Sequence, residues 1–131
     1  MRAYVAITPL ELLDFQENGS FHATYALIAD SDHSADLERD SDDQEELEFE
    51  SSWNAAQDSR ARQGSASSFG LVLAVDLVEE QLGTVEGNQV DLLSHILWPQ
   101  VQSLLLADSE EPELSWFGAQ EISTYLPQWL P

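Results

Sequence analysis

Apolar and polar positions change rhythm several times along this chain, and each change marks an element. Ala3-Tyr4-Val5-Ala6-Ile7 is an apolar, β-prone run that predicts a buried first strand. Thr8-Pro9-Leu10-Glu11 follows at once. Thr8 suits a helix N-cap, Pro9 the first helical position, and Glu11 completes a capping box, so a helix begins here. Asn18-Gly19 is its stop signal and keeps it short. Residues 23–29 read as a second strand, with Tyr25, Leu27 and Ile28 turned inward.

Ser41-Asp42-Asp43-Gln44 repeats the capping-box pattern, and acids at a helix start suit the dipole. Phe49, Trp53, Ala56 and Arg60 then fall on one face at 4-3-4 spacing, which predicts a helix over about 42–62. Residues 63–68 form a small-residue linker. Residues 69–77, Phe-Gly-Leu-Val-Leu-Ala-Val-Asp-Leu, are apolar on both faces and belong at the centre of a sheet. A turn is expected over 83–88. Residues 89–96 fit both periods, since Val90, Leu92 and Ile96 alternate whereas Val90, Leu93 and Leu97 follow a helix. Strand is preferred because Pro99 cuts the segment short. Residues 103–108 and 114–117 are further strands. Ile122, Tyr125, Leu126 and Trp129 make a small amphipathic helix, bent or ended at Pro127. No internal repeat is visible. The reading is one α+β domain over 1–131, a mostly antiparallel sheet of five or six strands packed on two helices.

Charge adds a second theme. Between Asp30 and Glu50 there are eleven carboxylates and one base, Arg39; the 131-residue chain carries 25 Asp and Glu against four Lys and Arg, a formal charge of -21. All four bases are arginine. Such a field repels phosphate backbones and anionic membranes, so direct nucleic-acid contact and membrane docking are not expected. The acids are concentrated within a chain that is 43% hydrophobic, which favours a folded domain carrying an acidic, mobile segment over 30–43. With no cysteine, disulfides, thiolate metal sites and cysteine nucleophiles are excluded. Nothing resembles a signal peptide or a bilayer-spanning run, so a soluble, cytoplasmic protein is expected.

Candidate chemistry is sparse. Asp30, Asp32 and Ser34 occupy the first, third and fifth positions of a calcium loop, with Leu37 at the eighth; Ala35 then stands where the loop needs glycine and Ser41 where it needs glutamate. A solvated acidic loop is the better description. His22, His33 and His95 show no metal-ligand spacing, and His33 should hold its proton tightly among the acids. There is no nucleophile elbow, no phosphate-binding glycine loop and no lysine. No metal and no cofactor is expected. Glu121 is the one acid closely framed by apolar groups, beside Trp116, Phe117, Ile122 and Tyr125. With Gln120 it could line a pocket, or it could simply start the last helix. Trp116 or Phe117 is expected to anchor the core, with Gly118 turning the chain. Trp129, near the terminus, is expected to fold back on the sheet.

Several segments together suggest kinship. Met1-Arg2-Ala3-Tyr4-Val5-Ala6-Ile7-Thr8, Glu45-Glu46-Leu47-Glu48-Phe49, Trp98-Pro99-Gln100-Val101 and Trp116-Phe117-Gly118-Ala119-Gln120-Glu121-Ile122 occur in that order. The chain resembles a family of small acidic actinobacterial proteins known only as a domain of unknown function. In that family an aromatic pair, a two-residue gap and Gln-Glu recur; Leu106 stands where a histidine would be expected. The resemblance implies one α+β domain and a GC-rich bacterial source, which would account for the missing lysine. It brings no activity.

The expected function is therefore a small, non-enzymatic interaction or accessory module, with a basic protein as partner and Trp116, Phe117, Gln120 and Glu121 as the binding residues. Two rivals come from other classes: a DNA-mimic inhibitor of a basic nucleic-acid-binding protein, and a small carboxylate-dependent enzyme built around Glu121.

Overall fold

The computed structural model describes residues 1–28, 41–64, 69–108 and 113–130, the first five residues of the second stretch as backbone only. Its elements in chain order are β1 (Arg2–Ile7), α1 (Pro9–Asn18), β2 (Ser20–Phe21), β3 (Tyr25–Leu27), α2 (Ser41–Gln63), β4 (Gly70–Asp76), β5 (Leu82–Glu86), β6 (Gln89–Leu92), β7 (Ile96–Leu97), β8 (Val101–Ala107), β9 (Ser115–Gly118) and α3 (Ile122–Trp129). Seven strands form one sheet in the order β5-β6-β3-β1-β4-β8-β9, and β2 pairs with β7 in a small second sheet. Every pairing within the large sheet is antiparallel.

Side chains alternate across a sheet, and here that alternation sorts two cores. Ala3, Val5 and Ile7 of β1, Leu71, Leu73 and Val75 of β4, and Leu104 and Leu106 of β8 share one face. Leu12 and Phe15 of α1 and Ile122, Leu126 and Trp129 of α3 cover it. Tyr4, Val72, Ala74 and Ala107 point the other way, against Ala55 and Ala56 of α2. β4, expected at the centre from its unbroken apolar run, lies between β1 and β8 and is buried from Gly70 to Val75.

The α+β class and the single domain hold. Among the described residues the main sheet has seven strands instead of five or six, and α3, expected as a small C-terminal helix, packs on it beside the two expected layer helices. Residues 82–86 form β5, where a turn was expected from Gly83. That glycine serves strand approach instead, since a Cβ there would sit 3.1 Å from the Asp91 carbonyl oxygen. The chain reverses at Gly87, whose φ of 62° suits glycine, and Asn88.

α1 starts and stops as its sequence dictates. The Thr8 hydroxyl accepts from the Glu11 N–H at 3.3 Å, the Glu11 carboxylate accepts from the Thr8 N–H at 3.0 Å, and Gly19 ends the helix in the left-handed region at φ 78°. α2 spans the expected range, and of the expected face Ala56 is buried; the buried stripe turns away from the large residues. Ser52, Ala55, Ala56 and Ser59 face the sheet, whereas Phe49 is exposed and Trp53 and Arg60 half-buried. Small residues win because helix and sheet are nearly in backbone contact at Gly70. In the second strand Ala26 and Ile28 are buried, and Tyr25 and Leu27 only half so, a shift of one from the expected phase. The acidic stretch over 29–40 and the linker over 65–68 lie outside the described residues, as do the calcium-loop positions of the former; residues 41–43 fall on the first turn of α2.

Candidate functional site

The C-terminal motif splits into four different environments. Trp116 is 63% exposed on β9, an edge strand, so it is not the core anchor. Phe117, on the opposite side of the same strand, packs into the main core. Its ring lies 4.9 Å from Tyr125 and 5.4 Å from Trp129. Trp129 is folded back and 9% exposed. Gln120 is exposed, and Glu121 is half-buried at the junction into α3. The two are neighbours in the expected strand-to-helix junction, and the described cavity is built elsewhere.

Trp116 has company on its face. It pairs across the ladder with Leu105, and paired residues share a face. Leu105 packs in the same cluster as Trp53 and Leu114. Trp53 in turn stacks with Phe49 at 6.3 Å, and the Arg60 guanidinium lies 5.8 Å from its ring centre while donating to the Ala107 carbonyl at 2.9 Å. Exposed acids adjoin these elements in the chain: Glu46 and Glu50 on α2, Asp108 after β8 and Glu113 before β9.

On the far side of α2 lies a cavity of about 310 Å³. It exists because β1 and β3 separate early. Their register is confined to Tyr4 with Leu27, so the next pairing, Ala6 with Tyr25, is not made. Arg62 reaches from α2 into the gap and donates to the Ala6 carbonyl at 3.1 Å, and its other arm is ion-paired with Glu11. The cavity is lined by Tyr4, Val5 and Ala6 below, by residues 21–25 and Leu27 beside, and by Ala55, Asp58 and Arg62 above. The Tyr25 hydroxyl donates to Asp58 Oδ2 at 2.5 Å. That bond, together with burial, holds the Tyr25 hydroxyl above the ordinary tyrosine range. Tyr4 is raised as well, first by burial and then by the charge of Glu48.

His22 stands on the rim of this cavity, with its ring centre 5.2 Å from that of His95. Phe21 pairs with Ile96, so the two histidines flank the end of the small sheet. Both are exposed. Among the described residues no group of three or more His, Cys, Asp or Glu is placed to hold a metal ion, and no helix is long and apolar enough to cross a membrane.

Tyr4, Tyr25, Asp58, Arg62 and the His22–His95 approach were missed from the sequence. Each depends on contacts between distant segments, and no local spacing announces them. Tyr25 read simply as a strand aromatic, and Asp58 as one acid among many.

The sequence model of a family of unknown function, DUF6912, matches residues 1–111. The chain belongs to that family. The DUF6912 match takes in both walls of the cavity and stops before β9 and α3, so Trp116 and the Gln120-Glu121 pair lie beyond the matched span. No curated protein and no solved structure matches the chain.

Proposed function

We propose that the protein is a non-enzymatic interaction module that receives a basic partner on the β9 face. The observation that carries this reading is Trp116, 63% exposed on an edge strand. A tryptophan is a strong anchor for a contact surface. An edge strand also offers unpaired backbone groups to an added strand. The acids select the partner: Asp108, Glu110, Glu111 and Glu113 precede Trp116 in sequence, within a chain of net charge -21. A positively charged segment with an apolar anchor is the complement, and the field would speed its approach. Absent lysine with arginine as the only base supports an actinobacterial source, and the protein would act in the cytoplasm.

The test is affinity capture from a lysate of the source organism with wild-type and Trp116→Ala bait. A partner should be retained at low salt, be released by sodium chloride, and be lost with Trp116→Ala. Retention by the Trp116→Ala bait would refute this site. Release by double-stranded DNA at constant ionic strength would instead favour the DNA-mimic reading.

A further inference from the structure

We infer that the cavity between β1, β3 and α2 is a binding site for a small organic monocation, an ammonium or guanidinium group carried on a compact apolar body. It stands apart from the β9 face and does not depend on the interaction reading.

The size and lining suit a small molecule. A partly open cavity of about 310 Å³ with Tyr4 and Tyr25 in its wall and a mixed polar and apolar lining reaches the lower end of the range of ligand pockets. It sits where the pairing of β1 with β3 is confined to Tyr4 and Leu27. The antiparallel pattern turns the N–H of a residue to the same side as its carbonyl, so the Ala6 backbone faces the gap.

Charge selects the class of ligand. Asp58 and Arg62 are the ionised residues lining the cavity. Arg62 is answered by Glu11 and by the Ala6 carbonyl, so its charge is compensated within the protein. Asp58 accepts from the neutral hydroxyl of Tyr25, which orients the carboxylate without bringing it a charge. Counting Glu11, Arg62 and Asp58 together leaves one negative charge, which a single positive charge on the ligand would close. Aromatic side chains beside that carboxylate add cation–π attraction. An anionic ligand would meet both Asp58 and a protein of net charge -21.

Three molecules of one skeleton and different charge make the test: phenethylamine, phenethyl alcohol and phenylacetate. Each is titrated into the full chain in about 0.15 M sodium chloride, where the Debye length is about 8 Å, to suppress loose condensation of cations. Amide chemical shifts and calorimetry report binding. Phenethylamine should saturate one site, with shifts centred on Ala6, Thr24, Tyr25 and Asp58, and the alcohol should bind at least tenfold more weakly. Asp58→Asn should weaken phenethylamine at least tenfold at unchanged melting temperature. Ala6→Leu, at a cavity-lining position on the same strand face as Tyr4, keeps every charge and narrows the cavity; it should do the same and serves if Asp58→Asn fails to fold. The Trp116→Ala chain should bind the amine normally, which separates this site from the β9 face. Shifts spread over the acidic surface, unsaturable binding, preference for phenylacetate, or full binding by Ala6→Leu would each overturn the inference.

Discussion

The backbone of Ala56 in α2 lies so close to Gly70 in β4 that a Cβ at residue 70 would stand 2.2 Å from the Ala56 carbonyl oxygen. The obstructing atoms are backbone, so no side chain can swing away. Gly70→Ala should therefore push α2 off the sheet and destabilise the fold by about 1–3 kcal/mol. Urea denaturation of the variant measures this, and an unchanged midpoint would show that the helix is free to slide.

Ser59 lies one turn further along the same helix. Its buried hydroxyl donates to the Ile7 carbonyl at 2.7 Å and accepts from the Leu71 N–H at 3.0 Å and from Gln63 Nε2 at 3.2 Å. It thus joins the ends of β1 and β4 to α2. Ser59→Ala strands the Ile7 and Leu71 groups away from water and should cost about 1–3 kcal/mol. Amide exchange should quicken at Leu71 ahead of residues in mid-strand β4.

Two tryptophans should respond in opposite ways. Trp129 is 9% exposed against Phe117 and Tyr125, so Trp129→Ala should cost about 3–5 kcal/mol. Trp116→Ala should change stability by about 0.5 kcal/mol or less, as surface substitutions do. Its fluorescence contribution should also be quenched by acrylamide more readily than that of Trp129. A large stability loss at Trp116 would place that ring in a contact the fold requires.

Tyr25 and Tyr4 both hold their protons more tightly than an ordinary tyrosine, Tyr25 mainly through Asp58 and Tyr4 mainly through burial. Between the ordinary value of about 10 and the raised folded value, the unfolded chain has lost protons that the folded chain keeps. Their stabilising contribution is complete below about pH 10 and is lost as pH rises through the folded value. Stability should thus fall in that alkaline window, and Tyr4→Phe with Tyr25→Phe should flatten the fall. Chemical denaturation at stepped pH, with tyrosinate absorbance as a second readout, checks it.

Added sodium chloride should raise the denaturation midpoint. A net charge of -21 opposes compaction by self-repulsion, which ions screen. Chloride is the right salt, because sulfate strengthens apolar burial by a separate route. A midpoint flat from low to molar sodium chloride would mean that the acids lie too far apart to matter.

Local signals were legible in the sequence wherever local physics decided the outcome. Thr8, Pro9, Glu11 and Gly19 wrote both ends of α1, because capping needs only residues a turn apart. The apolar run through β4 announced a central strand, because burial on both faces leaves no polar positions. The site was much less legible. Phe49 and Trp53 suggested the buried stripe of α2, yet Ser52, Ala55, Ala56 and Ser59 hold it, since a glycine in β4 draws the helix too close for large rings. Trp116 and Phe117 looked equivalent, and strand alternation on an edge sent one outward and one inward.

The sequence by itself determined an acidic, cysteine-free α+β domain and most of its element boundaries, because propensity, capping and periodicity act over a few residues. Tertiary structure alone decided where β1 and β3 part, that Asp58 meets Tyr25, and that His22 meets His95. Those relationships join residues far apart in the chain. They follow from which strands pair and where the ladder stops, and side-chain pattern does not encode that choice one segment at a time.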